Sequence, residues 1–167
     1  MIKDALAKLA DRTDLSAQEA EAVMCEIMDG AATSAQVAGY LMGLRQKGET
    51  VDEIVGSARA MRSRAARIRV GAPIVVDTCG TGGDGAHTFN ISTTAAFVVA
   101  GAGITVAKHG NRSVSSRSGS ADVLSALGVK IDLESNRMVD CIDEVGIGFL
   151  FAPHYHSAMK HCAGPRQ

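Results

Sequence analysis

Residues 74–107 read IVVDTCGTGGDGAHTFNISTTAAFVVAGAGITVA. A β-branched run, Ile74-Val75-Val76-Asp77, leads into a glycine-rich loop, then a helix-like segment at 92–100, then a second β-branched run at 104–107. Strand, helix and strand in that order predict a βαβ unit and a parallel sheet. The pattern continues outward, with a helix at 119–127 ended by Gly128, a strand at 129–131, a helix at 135–145 and a strand at 148–152. Before Pro73 everything reads as helix. The fold class is therefore α/β, with an all-helical amino-terminal domain at 1–70 and a βαβ parallel-sheet domain at 71–167. No internal repeat or low-complexity tract interrupts either part.

The helical part carries local start and stop signals. Ile2–Ala10 reads as a short helix. Ser16-Ala17-Gln18-Glu19 and Thr50-Val51-Asp52-Glu53 are capping boxes, in which a hydroxyl accepts an amide N–H and the acid three residues on reaches back. Thr33 or Ser34 opens the helix between them, and Gly30 and Gly48 close helices. The predicted apolar stripes are Ala20, Val23, Met24, Ile27 and Met28, then Val37, Tyr40, Leu41 and Leu44, then Ile54, Val55, Ala58 and Met61. Such stripes serve helix–helix or subunit packing. Five arginines between Arg59 and Arg69 are read as a solvated helix end.

Composition excludes several classes. The 167 residues are 46% hydrophobic and 21% charged, with 17 basic against 18 acidic side chains. A chain that close to neutral is not built to coat nucleic acid or an anionic membrane. Aromatic residues make up 4%, with no Trp, which leaves no stacking platform for single strands. The longest apolar run, at 95–107, is too short to span a bilayer. The opening MIKDALAKLADR has no cleavable apolar stretch, and Cys25, Cys79, Cys141 and Cys162 show no paired spacing, so a cytoplasmic protein with free thiols is expected. Cys79 is read as a small buried residue closing a strand in preference to a nucleophile.

Two stretches carry chemistry. In Gly80-Thr81-Gly82-Gly83-Asp84-Gly85, closely spaced glycines let successive N–H groups turn inward as an anion nest. Taken alone the glycines mark a tight turn equally well. The helix start Asn90-Ile91-Ser92-Thr93-Thr94, with free N–H groups and three hydroxyls, favours phosphate. Neither a Walker A loop nor a dinucleotide fingerprint is present. The second stretch runs from Lys108 to Ser120 at the carboxyl end of the second strand, and its two arginines, lysine and serines suit a polyanion. His109 fits either a general base or a residue that shapes this loop by hydrogen bonds.

The segments DTCGTGGDGAHTFNISTTAAFVVA (77–100) and VAKHGNRSVSSRSGSADVLSALG (106–128) closely resemble the anthranilate phosphoribosyltransferases of tryptophan biosynthesis, and FAPHYHSAMKHCAGPR (151–166) resembles a third motif of that family. The resemblance covers essentially the whole chain but only the amino-terminal half of the family's length. It implies an enzyme that transfers the phosphoribosyl group from phosphoribosyl diphosphate to the amine of anthranilate, with Mg²⁺ as cofactor, working as a homodimer through the helical domain. It implies that Gly80, Gly83, Asp84 and Thr88 line the donor site, that Asn90, Ile91, Ser92 and Thr93 hold the diphosphate, and that Ser92 ligates Mg²⁺. Lys108, His109, Gly110, Asn111, Arg112, Ser113, Val114, Ser115, Ser116 and Ser120 would close around the same donor. Catalytic roles fall to Lys108 and Asn111, and anthranilate to Gly80, Asn111 and Arg166. The family's later Asp-Glu pair for a second metal has no counterpart here, so the chain alone is expected to be inactive or nearly so, and Ser157 stands where the family usually has proline. The competing readings are a non-catalytic nucleic-acid- or phosphate-binding relative, disfavoured by the slight acidity, and a nucleoside phosphorylase, disfavoured by the run from Lys108 to Arg112.

Overall fold

A computed structural model describes residues 1–80, 88–113 and 118–165. The chain forms two compact units. One comprises residues 1–65 together with the segment from His156 onward, and the other comprises 66–155. The expected domains divided at 70 and kept that last segment with the sheet. In the structure it joins the helices, because the buried Cys162 belongs to the helical core.

The helical unit contains α1 (Ile2–Ala10), α2 (Ala17–Met28), α3 (Ser34–Lys47) and α4 (Val51–Arg64). Three of these start with a reciprocal box. Ser16 and Glu19, Thr33 and Gln36, and Thr50 and Glu53 each exchange side-chain and backbone bonds, an arrangement worth about 1 kcal/mol per cap. The stripes of α2 and α3 are buried in one core with Ile2, Leu9 and Leu15, and Leu41 is half-buried against it.

The stripe expected on α4 is displaced. Ile54 and Ala58 face solvent and Val55 and Met61 are half-buried, while Glu53, Gly56 and Ala60 form the buried face. The cause is close approach to α2. A Cβ on Gly56 would run into the carbonyl oxygen of Ala17, so only small residues fit where the two helices touch.

Glu53 is the charge this packing buries, at 1% exposure. Its Oε1 accepts from the Leu15 amide at 2.9 Å, and its Oε2 accepts from the Thr50 amide at 2.8 Å and from Lys47 Nζ at 3.0 Å. Lys47 also donates to Asp14 at 2.7 Å. Burial pushes the Glu53 carboxyl up, but the two amides and Lys47 outweigh it and hold it below the usual carboxylate range.

The second unit is built on β1 (Val106–Gly110) and β2 (Ile147–Phe151), parallel and in register from Val106 opposite Ile147 to Gly110 opposite Phe151. Around them lie α5 (Ile91–Gly101), α6 (Ser120–Ala126), α7 (Ser135–Val145) and the short α8 (Ala152–Tyr155). The first expected strand, 74–77, contributes a single parallel bridge, Val76 to Val106. Ile74 is 71% exposed and makes no ladder. The run at 129–131 is not a strand either. The Val129 amide donates back to Leu124 as the end of α6, and Ile131 packs beside Ala121, Leu124 and Phe149. The second expected strand begins two residues later than predicted and takes in Lys108, His109 and Gly110. The ends of this unit meet, with the Ala66 amide donating to the Tyr155 carbonyl at 2.9 Å.

Glu53→Ala leaves the Leu15 and Thr50 amides without their acceptor and takes from Lys47 one of its two carboxylate partners, and is expected to cost about 3 kcal/mol in urea unfolding. The depressed carboxyl stabilises the fold above its unfolded pKa of about 4.3, and that contribution disappears as pH falls through the lower folded value. Glu53→Gln is therefore expected to flatten the acid limb of the stability curve. An unchanged limb would show that Glu53 is not the linked group.

Candidate functional site

The site lies within the second unit, where the bridge at Val76, β1 and the start of α5 come together. Asp77 follows Val76. Its Oδ1 accepts from the Cys79 amide at 2.9 Å and the His109 amide at 3.2 Å, tying the entry of the glycine loop to β1. Thr78 Oγ1 donates to the Ser92 carbonyl at 2.7 Å. Asn90 caps α5, its Oδ1 accepting from the Thr93 amide at 3.2 Å, the Thr93 hydroxyl at 2.8 Å and the Ser92 hydroxyl at 3.3 Å.

Strand alternation carries Lys108 inward from β1. It is 3% exposed. Its ammonium donates to Ser92 Oγ at 3.1 Å and Thr78 Oγ1 at 3.4 Å. Among the described residues no carboxylate lies within ion-pair distance of it. Burial holds the Lys108 pKa below the usual lysine value, opposed by Cys79 and Asp77 nearby. A buried cation whose hydrogen-bond partners among the described residues are neutral hydroxyls, one of them at a helix start, is prepared for an anion.

Beyond β1 the chain packs closely against the start of α6. Gly110 has no room for a side chain, since a Cβ would sit 2.7 Å from the Phe149 ring and 3.0 Å from Ser120 Cβ. The Asn111 carbonyl accepts from the Ala121 amide at 3.1 Å, and its side-chain oxygen accepts from the Arg112 amide at 2.8 Å. Arg112 donates to Asp122 at 3.0 Å.

The structure thus gathers Asn90, Ser92, Thr93 and Lys108 around one point, with Gly110 and Asn111 at the end of β1 and Ser120 at the start of α6 beside Gly110. Thr88 and Ile91 are exposed. Gly80 has open space around its Cα, with nothing within 4 Å of a Cβ built there. Gly83, Asp84, Val114, Ser115, Ser116 and Arg166 lie outside the described residues. Cys79, expected to be buried, is exposed, with Sγ 3.7 Å from His109 Nδ1. It follows the bridge at Val76 by three residues, past the point where the sheet would cover it. Sequence reasoning missed Asp77, Thr78 and Asp122. Only Asp122 left a signal: it stands three residues after Gly119, where a helix start places an acid.

Comparison with known proteins fits this geometry. Residues 3–65 match the helical bundle domain of the glycosyl transferase family, and residues 72–167 match its a/b domain. The chain belongs to the glycosyl transferase family. All of it aligns with an anthranilate phosphoribosyltransferase of Desulforudis audaxviator at 65% identity, covering 48% of that protein, and with one of Moorella thermoacetica at 60%, covering 49%. The crystal structure of anthranilate phosphoribosyltransferase from Thermus thermophilus superposes on 98% of the chain with a TM-score of 0.88 at 46% identity, and half of that protein is covered. The Saccharomyces cerevisiae anthranilate phosphoribosyltransferase in complex with PRPP and Mg superposes on 99%, with a TM-score of 0.87 at 27% identity. The chain spans about half the length of the relatives it matches. Among the described residues no helix of this glycosyl transferase chain is long and apolar enough to cross a membrane.

Lys108→Met removes a charge that no carboxylate among the described residues pairs with. The variant is expected to unfold at the same urea concentration as the parent or a higher one, and to bind inorganic diphosphate at least about tenfold more weakly by calorimetry. A destabilised variant with unchanged affinity would make Lys108 structural.

Proposed function

We propose that the chain supplies the donor-binding half of an anthranilate phosphoribosyltransferase. The observation that carries the reading is the buried Lys108 ammonium, held by Ser92 and Thr78 at the start of α5. In the transfer, the bond from the ribose anomeric carbon to the diphosphate oxygen breaks, and a bond to the anthranilate nitrogen forms as that nitrogen loses a proton. Negative charge collects on the departing diphosphate. Lys108, the amides at the start of α5 and the glycine loop stabilise it. Asn111, Gly80 and Arg166 are assigned to anthranilate. The amine is a weak nucleophile, so holding it in line matters more than removing its proton, and no general base is assigned.

Ser92 is the proposed protein ligand of Mg²⁺. Its hydroxyl lies 3.1 Å from the Lys108 ammonium, and among the described residues no three His, Cys, Asp or Glu side chains converge as a metal cage. One neutral oxygen beside a cation suits magnesium only as an ion that arrives coordinated by phosphate oxygens. When bound, it neutralises diphosphate charge.

A homodimer through the helical unit belongs to the same reading. The stripes of α2 and α3 are spent on the unit's own core, so its surface is instead the shallow groove between α1 and α3, lined by Leu6, Gly39, Gly43 and the 64% exposed Met42. Met42→Asp is expected to give a folded monomer by light scattering, whereas Leu41→Asp unfolds the unit. A monomeric parent chain removes this part of the proposal.

Titration of the chain with phosphoribosyl diphosphate is expected to show Mg²⁺-dependent binding, and Ser92→Ala to lose the Mg²⁺ dependence while keeping the fold. Binding unaffected by Mg²⁺ in the parent refutes the metal assignment. No binding at all refutes the donor site.

A further inference from the structure

The second loop is closed at its neck by one carboxylate. Asp122 Oδ2 accepts from the Ser113 amide and from the Gly119 amide, both at 2.9 Å, joining residues six apart in sequence. Its other oxygen takes Arg112 Nη1 at 3.0 Å. Gly119 is pressed into this neck, where a Cβ would collide with the Ser113 amide nitrogen and sit 2.6 Å from the Asn111 carbonyl oxygen. The neck begins directly after β1, which carries Lys108, and closes at the start of α6.

A negative charge here needs explaining. The neighbouring residues are Lys108, His109 and Arg112, and the loop they begin is basic and serine-rich. For a site that takes a polyanion, an added carboxylate lowers the attraction through space. It also occupies a guanidinium that would otherwise face the ligand. The field therefore argues against an acid at this position, and the hydrogen bonds argue for one. Two amide donors on one oxygen and a guanidinium on the other need an acceptor at both atoms, which a carboxylate supplies and a carboxamide does not. Those amides hold the Asp122 carboxyl below the usual range, against partial burial and with help from Arg112. The ionised form is thus the working form at neutral pH.

We infer that Asp122 is a positioning residue for the donor site, a clasp that holds the Asn111–Ser113 segment against Gly119 so that Asn111, which directly follows β1, keeps its place at the site. It touches neither the reacting atoms nor Lys108. The inference rests on the donor-site reading above.

The sign of one substitution decides between geometry and field. Asp122→Ala removes the charge, frees Arg112 and leaves both amides without an acceptor. If only the field matters, donor affinity rises. If the clasp matters, affinity falls. Asp122→Asn also removes the charge, but its side-chain oxygen still accepts from both amides, so it is the control in which the clasp is kept. We expect the Kd for phosphoribosyl diphosphate with Mg²⁺, measured by calorimetry on the whole chain, to rise at least about tenfold in Asp122→Ala and to stay near that of the parent in Asp122→Asn. Amide hydrogen exchange at Ser113 and Gly119 should quicken at least about tenfold in Asp122→Ala while that of β1 stays unchanged. A merely structural residue would release β1 as well. Equal or tighter binding by Asp122→Ala overturns the inference. If the parent chain itself binds no donor, the donor-site reading fails, and the clasp is judged by exchange alone. Unchanged protection at Ser113 and Gly119 then overturns it, and lost protection upholds it. If Asp122→Ala does not fold, Gly119→Ala carries the test, because its Cβ spreads the neck without changing any charge; the same weakening is expected, and unchanged affinity overturns the inference.

Discussion

A buried ammonium with hydroxyls as its only close hydrogen-bond partners among the described residues is the constraint around which the second unit is arranged. Taking Lys108 out of water costs several kcal/mol unless something replaces its hydration. Thr78 and Ser92 do so in part, and placing them requires the chain before the glycine loop, the start of α5 and β1 to converge. Asn90 turns the Ser92 hydroxyl, and Thr78 holds the Ser92 carbonyl. The site is thus assembled by local caps and single cross-links, while the β1–β2 ladder supplies the rigid floor.

The two units manage buried charge in opposite ways. In the helical unit Glu53 is as deeply buried as Lys108, but both of its oxygens are satisfied within the fold by Leu15, Thr50 and Lys47. That charge is spent on structure. Among the described residues Lys108 is left short of a counter-charge, and such a shortage separates a binding group from a packing group more sharply than burial does.

What was legible in the sequence follows the range of the interactions. Capping boxes are written within four residues, so Ser16 and Thr50 could be read directly, as could the stripes of α2 and α3, while the start of α3 stayed open between Thr33 and Ser34 until Gln36 was seen to bond back to Thr33. The α4 stripe could not, because Gly56 is decided by where α2 lies. The β-branched runs at 74–77 and 129–131 have strand composition, but a strand needs a partner, and the turn after α6 claims the Val129 amide. At the site, glycines, hydroxyls and Lys108 announced themselves by type and spacing. Asp77 did not, because the His109 amide is brought to it only by folding, and Asp122 showed only its place three residues after Gly119, not the Ser113 amide that completes its pair.

The hydrogen bond from Ala66 to Tyr155 joins the two ends of the α/β unit. For the helical unit, whose last segment begins at His156, everything between is a single excursion that departs and returns at one point. Closing a loop costs entropy that grows only with the logarithm of its length, and here the excursion brings its own ends together when it folds. The bundle can therefore recover Cys162 for its core without gathering a long floppy connection. On a growing chain α1 to α4 emerge first, and Cys162 follows only after the whole of 66–155 has been made.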